Sequence, residues 1–326
     1  MLERDSHTRL SRSTHRGQRS REYARHLTGV AIIRTVRGDI RPDELGPCDA
    51  HEHFFLVTPA QPGDDYADVA KAIEEAETLR AAGARAAVDW TPIGLGRDLD
   101  GLQAVADAVD LHIVAATGLH RDPHYAADDP LRREDEEALA ARFVADLERC
   151  GIIKVGAGYH AVAPFEAKAF AAAAIAHGQA GAPVCVHTEH GTMGLALVER
   201  LGRHGVPAER VILAHVDRNP DPAEHAETAA TGAWLQLDGP GRTKYWPDSA
   251  ILGLIADLAG RGYADRLLIG GDTGRRSMLR AFGGGPGMDY VFARFKPRLE
   301  RELGQALSEQ IFVANPARAF AFAPAA

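Results

Sequence analysis

The stretch Gly151-Ile152-Ile153-Lys154-Val155-Gly156-Ala157-Gly158, "GIIKVGAG", reads as a short buried strand with a lysine in its middle. An ammonium group among apolar residues loses its hydration, which is costly unless the group is paired, neutralised or chemically altered. Similar apolar runs recur at 47–51, 85–89, 111–117, 183–187, 211–215, 234–238 and 267–272, so that with 152–156 there are eight candidate strands. Helical patterns fill the gaps, as in "DDYADVAKAIEEAETLRAAG" (64–83), "LRREDEEALAARFVADLERC" (131–150) and "PFEAKAFAAAAIAHGQAG" (164–181), where Pro164 suits a first turn and Gly181 a stop. This alternation predicts βα units and a parallel sheet. Eight units fit a closed α/β (β/α)8 TIM barrel, with a doubly wound open sheet as the alternative.

The composition, 45% hydrophobic and 25% charged over 326 residues, suffices for the core of one such barrel. Residues 1–29 are Arg-rich with no apolar periodicity and are expected to form a flexible N-terminal extension; Glu3, Asp5 and Glu22 interrupt it, unlike a transit peptide. Residues 30–326 are expected to form the barrel, with a C-terminal helical segment from Gly287 to Phe322. A net charge of −8 argues against a nucleic-acid or anionic-membrane partner, and no apolar run reaches the roughly 18 residues of a membrane span. Cys48, Cys150 and Cys185 lie in or beside apolar runs without CxxC spacing, so buried free thiols and a cytoplasmic location are expected.

Barrel enzymes build their sites where strands end, at the C-terminal face. Here the ends read "CDAHEHFF" (48–55), "VCVHTEH" (184–190), "VILAHVD" (211–217) and "LLIGGDTG" (267–274), with Lys154 on strand four. On an extended chain His51 and His53 point to one side and Glu52 to the other, which suits one metal ion. Imidazoles with a carboxylate favour Zn, Mn or related divalent ions, and His187, His215 and Asp272 converge on the same cavity once the barrel closes. Singly, each has a plainer reading: a hydrogen-bonded core histidine, or a carboxylate capping the next helix. Together, polar residues at so many ends of an apolar strand series favour a metal centre.

The order HxH, strand-four Lys, strand-five His, strand-six His and strand-eight Asp resembles the amidohydrolase superfamily and, within it, the phosphotriesterase family. "IRTVRGDI" (33–40), "GIIKVGAG", "LDGPGRTKYWPDS" (237–249), "GGGPGMDY" (283–290) and "FVANPARAF" (312–320) are similar to that family's segments, from about residue 30 to the end. The resemblance implies two divalent metal ions (zinc first, with Mn, Co or Fe as alternatives) and a CO2-derived carbamate on Lys154 bridging them. His51, His53 and Asp272 would hold one ion, and His187 and His215 the other. It also implies attack by a metal-bridging hydroxide, with Asp272 taking the proton and His215 assisting, and a homo-oligomeric assembly. Burial makes the carbamate chemically reasonable, because it lowers a lysine's pKa and a neutral amine attacks CO2. The alternative is a lysine paired with a carboxylate such as Asp272.

Arg242, Lys244, Arg275 and Arg276 follow strands seven and eight and suit an anionic substrate group, unless they are solvated loop charges. Family members that hydrolyse phosphorylated sugar lactones use basic residues there, which singles out Lys244 and Arg275. The expected activity is therefore hydrolysis of an ester bond in a small molecule, a lactone or carboxylic ester, including a phosphorylated sugar lactone. Organophosphate triester hydrolysis is the alternative, and a non-catalytic metal-binding barrel acting as a binding module is the alternative of another class. "GAGYHA" (156–161) mimics a dinucleotide fingerprint, but Pro164 starts the helix too late for it.

Overall fold

The computed structural model describes residues 31–322; the extension expected at 1–29 lies outside them. The chain opens with an antiparallel hairpin, β1 (Ile33–Thr35) and β2 (Gly38–Ile40). Eight parallel strands follow: β3 (Cys48–Glu52), β4 (Ala86–Asp89), β5 (His112–Gly118), β6 (Ile152–Ala157), β7 (Val184–Thr188), β8 (Val211–Ala214), β9 (Trp234–Leu237) and β10 (Leu267–Ile269). Each pairs with its neighbours in sequence order. Backbone N–H groups of Gly271 and Asp272 donate to the His51 carbonyl, at 3.1 and 2.7 Å, and so join the last strand to the first. This is the expected (β/α)8 barrel, not an open sheet.

Seven helices alternate with the strands: α1 (Val69–Ala81), α2 (Leu99–Val109), α3 (Glu136–Asp146), α4 (Pro164–Ala180), α5 (Gly194–Arg203), α6 (Pro222–Ala230) and α7 (Asp248–Gly260). Beyond β10 come α8 (Lys296–Leu303), α9 (Gln305–Glu309) and α10 (Asn315–Ala319). The expected spans at 64–83 and 131–150 shorten because Asp68 and Asp135 cap α1 and α3, accepting the N–H groups of Lys71 and Ala138. Helix α4 runs as expected, from Pro164 to a left-handed Gly181 with φ 74°.

The period of two along each strand separates two cores. Ile153, Val155, Val184, Val186, Val211, Leu213, Leu235, Leu237 and Leu267 belong to a large cluster with the helices. Ala50, Val88, Val114, Ile152, Cys185, Ile212, Trp234 and Leu268 form a second one inside the barrel. Lys154 and His187 stand two residues beyond Ile152 and Cys185, on this same inner side, so the interior turns from apolar to polar towards the strands' C-terminal ends. The hairpin closes the opposite end, where Val36 N–H donates to the Ile113 carbonyl at 2.9 Å. Cys48, Cys150 and Cys185 are buried free thiols, as expected. Among the described residues no helix is long and apolar enough to cross a membrane.

Gly118, at the end of β5, has φ +98° and lies so close to β6 that a Cβ there would stand 2.0 Å from the Lys154 carbonyl oxygen. Gly118→Ala is therefore expected to lower the free energy of unfolding by more than about 3 kcal/mol. Gly178, exposed on α4 with nothing within 4 Å of a built Cβ, is the contrast: Gly178→Ala is expected to raise stability by about 0.5–1 kcal/mol. Urea unfolding measures both, and a Gly118→Ala protein as stable as its parent would contradict the close approach.

Candidate metal centre

Lys154 is 1% exposed, and its ammonium makes no ion pair or hydrogen bond to any described residue, so the alternative of a carboxylate pairing is not found. Its ammonium sits 4.9 Å above the Trp90 ring, and burial lowers its pKa to about 8. A measurable fraction is then the free amine at neutral pH, the form that reacts with CO2.

His51 and His53 carry their ring protons on the nitrogens turned away from Asp272. Asp238 Oδ2 lies 3.2 Å from His51 Nδ1, and a carboxylate only accepts, so the proton is on Nδ1 and Nε2 is bare. The Thr91 hydroxyl donates its one proton to the Phe55 carbonyl at 2.9 Å, so it accepts from His53 Nδ1 at 2.8 Å, and His53 Nε2 is bare as well. These two nitrogens face Asp272 Oδ1 at 3.6 and 3.4 Å, and His51 Nε2 is buried without a hydrogen-bond partner. Three lone-pair donors converging with no proton to share repel one another unless a cation lies between them. His51, His53 and Asp272 accordingly form one group whose geometry can hold a metal ion. Burial holds the His51, His187 and His215 pKa values well below the usual imidazole range, which keeps these rings in the neutral, ligating form.

His187 and His215 meet edge to face, with ring centroids 4.5 Å apart. His187 Nε2 lies 2.8 Å from Glu189 Oε2. His215 Nδ1 lies 3.0 Å from Asp238 Oδ2, not aligned as a hydrogen bond, and 3.8 Å from Asp272 Oδ2. The second group able to hold a metal is thus His51, His215 and Asp238, a set that includes Asp238 and leaves His187 outside it. All six expected ligands nevertheless surround one small cavity of about 200 Å³, which His53, Lys154, His187, His215 and Asp272 line directly and His51 backs through Asp272.

Two of these residues depart from strand geometry. His215 and Asp272 have left-handed backbones, φ 66° and 47°; β8 ends at Ala214, just before His215, and β10 ends at Ile269, before the Gly270-Gly271 turn, both short of the expected 215 and 272. Glu52 turns away from the histidines, as alternation demands, and accepts the N–H and hydroxyl of Thr273.

Reading the sequence alone misses four residues here. Asp238 supports His51 and also accepts the His215 N–H at 3.0 Å; its place at a strand end was the available signal. Arg218 reaches Asp272 Oδ2 at 3.0 Å, beside Arg242 at 2.9 Å. Burial would raise the Asp272 pKa, but Arg242, His51 and His215 outweigh it and hold the carboxyl well below its usual range. His120 and His124 stack at 3.9 Å and line the cavity just past β5. Lys244 and Arg275 line it too, as expected. Arg275 is paired with Asp64 at 2.9 Å and Arg121 with Glu189 at 2.9 Å, whereas Lys244 lies 4.9 Å over Tyr245 and has no acidic partner among the described residues.

The family model described as "Phosphotriesterase family" matches residues 31–320. A phospho-furanose lactonase of Mycoplasmopsis synoviae is 30% identical over 325 residues, covering 89% of this chain and 92% of that protein. The crystal structure of a lactonase from Listeria monocytogenes superposes with a TM-score of 0.86 at 30% identity, covering 90% of this chain and 99% of that one. A phosphotriesterase homology protein from Escherichia coli, solved with phosphate in its active site, superposes with a TM-score of 0.80 at 29% identity, covering 85% and 99%. With the family model matched across nearly all the described residues, the chain belongs to the phosphotriesterase family.

Proposed function

We propose that this protein is a hydrolase of small-molecule esters whose preferred substrate is a lactone bearing a phosphate. The carrying observation is Lys244, a cation at the mouth of the metal-centre cavity with no acid beside it. Arg121, Arg218, Arg242 and Arg275 each have a carboxylate partner, at 2.9, 3.0, 2.9 and 2.9 Å. The phosphate seen in the Escherichia coli relative and the phospho-furanose lactonase activity named for the Mycoplasmopsis relative support the same reading.

In this reading His51, His53 and Asp272 would hold one divalent ion and His187 and His215 a second, with Lys154, carbamylated at its amine, as a further ligand. Zinc suits this nitrogen and oxygen donor set. Bound ions supply an acidified water and a Lewis acid for the ester oxygen. The protein's own residues do the rest. Asp272, kept ionised by its guanidinium neighbours, accepts the proton released as water attacks the carbonyl carbon and returns it to the ring oxygen as the acyl C–O bond breaks, with His215 beside it. Lys244 and Arg275 take the phosphate and so fix which face of the lactone meets the centre. Asp238 orients His51 and His215. The protein's three buried free thiols support a cytoplasmic location, and the homo-oligomer follows from the family resemblance alone.

Metal-reconstituted protein with bicarbonate is expected to hydrolyse a phosphorylated sugar lactone with a kcat/KM at least about a hundredfold above that for the unphosphorylated lactone, an aryl ester or an aryl dialkyl phosphate. Lys244→Ala should erase that lead and leave the neutral esters unchanged. A leading aryl dialkyl phosphate would instead establish the triester activity, and no turnover of any substrate would favour a binding module. Asp238→Asn is expected to weaken divalent-ion binding about ten- to a hundredfold in a chelator competition. Unchanged affinity would show that His51 and His215 do not depend on it.

A further inference from the structure

Beside the metal-centre cavity lies a larger one, of about 710 Å³, with Tyr159 and Trp246 in its lining. Arg121, Glu189 and Arg218 line both, and the Arg121–Glu189 ion pair at 2.9 Å stands at the shared boundary. Tyr159 is 62% and Trp246 41% exposed, and they are two of the four large apolar side chains left exposed among the described residues. Both aromatic residues are held in place. The Trp246 indole N–H donates to the Arg218 carbonyl at 3.3 Å, and the Tyr159 ring meets His160 and His190 edge-on at 4.5 and 5.8 Å. His160 and His190, which line the same cavity, have left-handed backbones, φ 49° and 55°. Strain of this kind in non-glycine residues gathers at binding sites, and in this protein His215 and Asp272 of the metal centre share it.

The lining chemistry selects the occupant. A hydrocarbon chain would desolvate Thr192 and the Glu224 carboxylate without offering either a hydrogen bond. An anion would meet the Glu189 and Glu224 carboxylates, and would find Arg121 already paired with Glu189 at 2.9 Å and Arg218 held on Asp272 at 3.0 Å, a carboxylate it shares with Arg242. Exposed aromatic side chains beside hydroxyl, imidazole and carboxylate groups suit a ring with apolar faces and polar edges. We propose that this cavity is a subsite for a neutral sugar ring, stacked on Tyr159 and Trp246, so that the enzyme accepts a lactone carrying a glycosyl substituent. The proposal rests on the lactone reading for its catalytic part but not for binding.

Trp90 and Trp234 are buried, so a ligand-induced change in tryptophan emission reports on Trp246. The metal-loaded full chain is titrated with methyl glucoside, methyl galactoside, maltose and cellobiose. At least one is expected to change the emission saturably, with a Kd raised about tenfold in Tyr159→Ala, the size of one stacking contact. For a glycosylated aldonolactone, Trp246→Ala should lower kcat/KM about tenfold through KM, while the single-ring phosphorylated lactone stays within about twofold of the parent. No saturable change with any of the four sugars, or an equal loss on both lactones, would overturn the subsite. If the phosphorylated lactone turns over but no sugar binds, the subsite fails and the lactone reading stands. If a sugar binds but neither lactone reacts, the subsite stands and the lactone reading fails.

Discussion

The His51 carbonyl oxygen accepts N–H groups from Gly271 and Asp272, at 3.1 and 2.7 Å, and on that junction both the barrel and its site depend. It brings residues more than two hundred positions apart in sequence side by side, so closing the barrel and assembling the His51, His53 and Asp272 group are one event. The approach explains the two glycines before Asp272. A Cβ at Gly270 would stand 2.5 Å from the His51 Cβ, and one at Gly271 would stand 2.1 Å from Glu52 Oε1. Asp49 Oδ1 fastens the same turn by accepting the Gly271 N–H at 3.1 Å. The β-carbon-free turn lets β10 end early and the left-handed Asp272 bend its carboxylate back over the barrel.

Around this junction the charges are arranged with few loose ends. Asp272 carries two guanidiniums, Glu189 carries Arg121, and Asp64 carries Arg275. The two lysines of the cavity have no acidic partner, and their surroundings give that fact different meanings. Lys154 is buried over an indole, where the cost of an isolated charge shifts it towards the amine. Lys244 is exposed, where water solvates the charge and leaves it free for an incoming anion.

The fold was legible because each strand repeats a period of two with small apolar residues, and its inner positions change character at one end. Ile152 and Lys154, or Cys185 and His187, show this within three residues. Helix ends were less legible, since Asp68 and Asp135 stop the apolar pattern short through capping bonds that a periodicity does not register. The ligand candidates could be read from the strand ends, but their support could not. Arg218 reaches Asp272 because the left-handed His215 starts a tight turn over Val216–Arg218 that swings the chain back across the mouth. Nothing in "HVDR" announces that conformation. Asp238 looked like the last residue of a strand, and its role follows from a histidine nearly two hundred residues away.

The shape of the cavity bears on which ester is cleaved. A neutral triester presents only apolar or weakly polar surface beyond its reacting centre, and its recognition requires apolar pockets for each substituent. Here the reaction cavity holds about 200 Å³ and is bordered by Arg121, Arg218, Arg242, Lys244 and Arg275, with Leu56 among its few apolar contributors. Placing alkyl or aryl groups against those side chains would remove water from charges and return little in dispersion. A phosphate replaces lost hydration with charge-assisted hydrogen bonds, most readily at Lys244, which gives up no existing partner to make them. In the proposed function the metal-centre residues set the chemistry, and the unpaired lysine at the rim favours an anionic ester over a neutral triester.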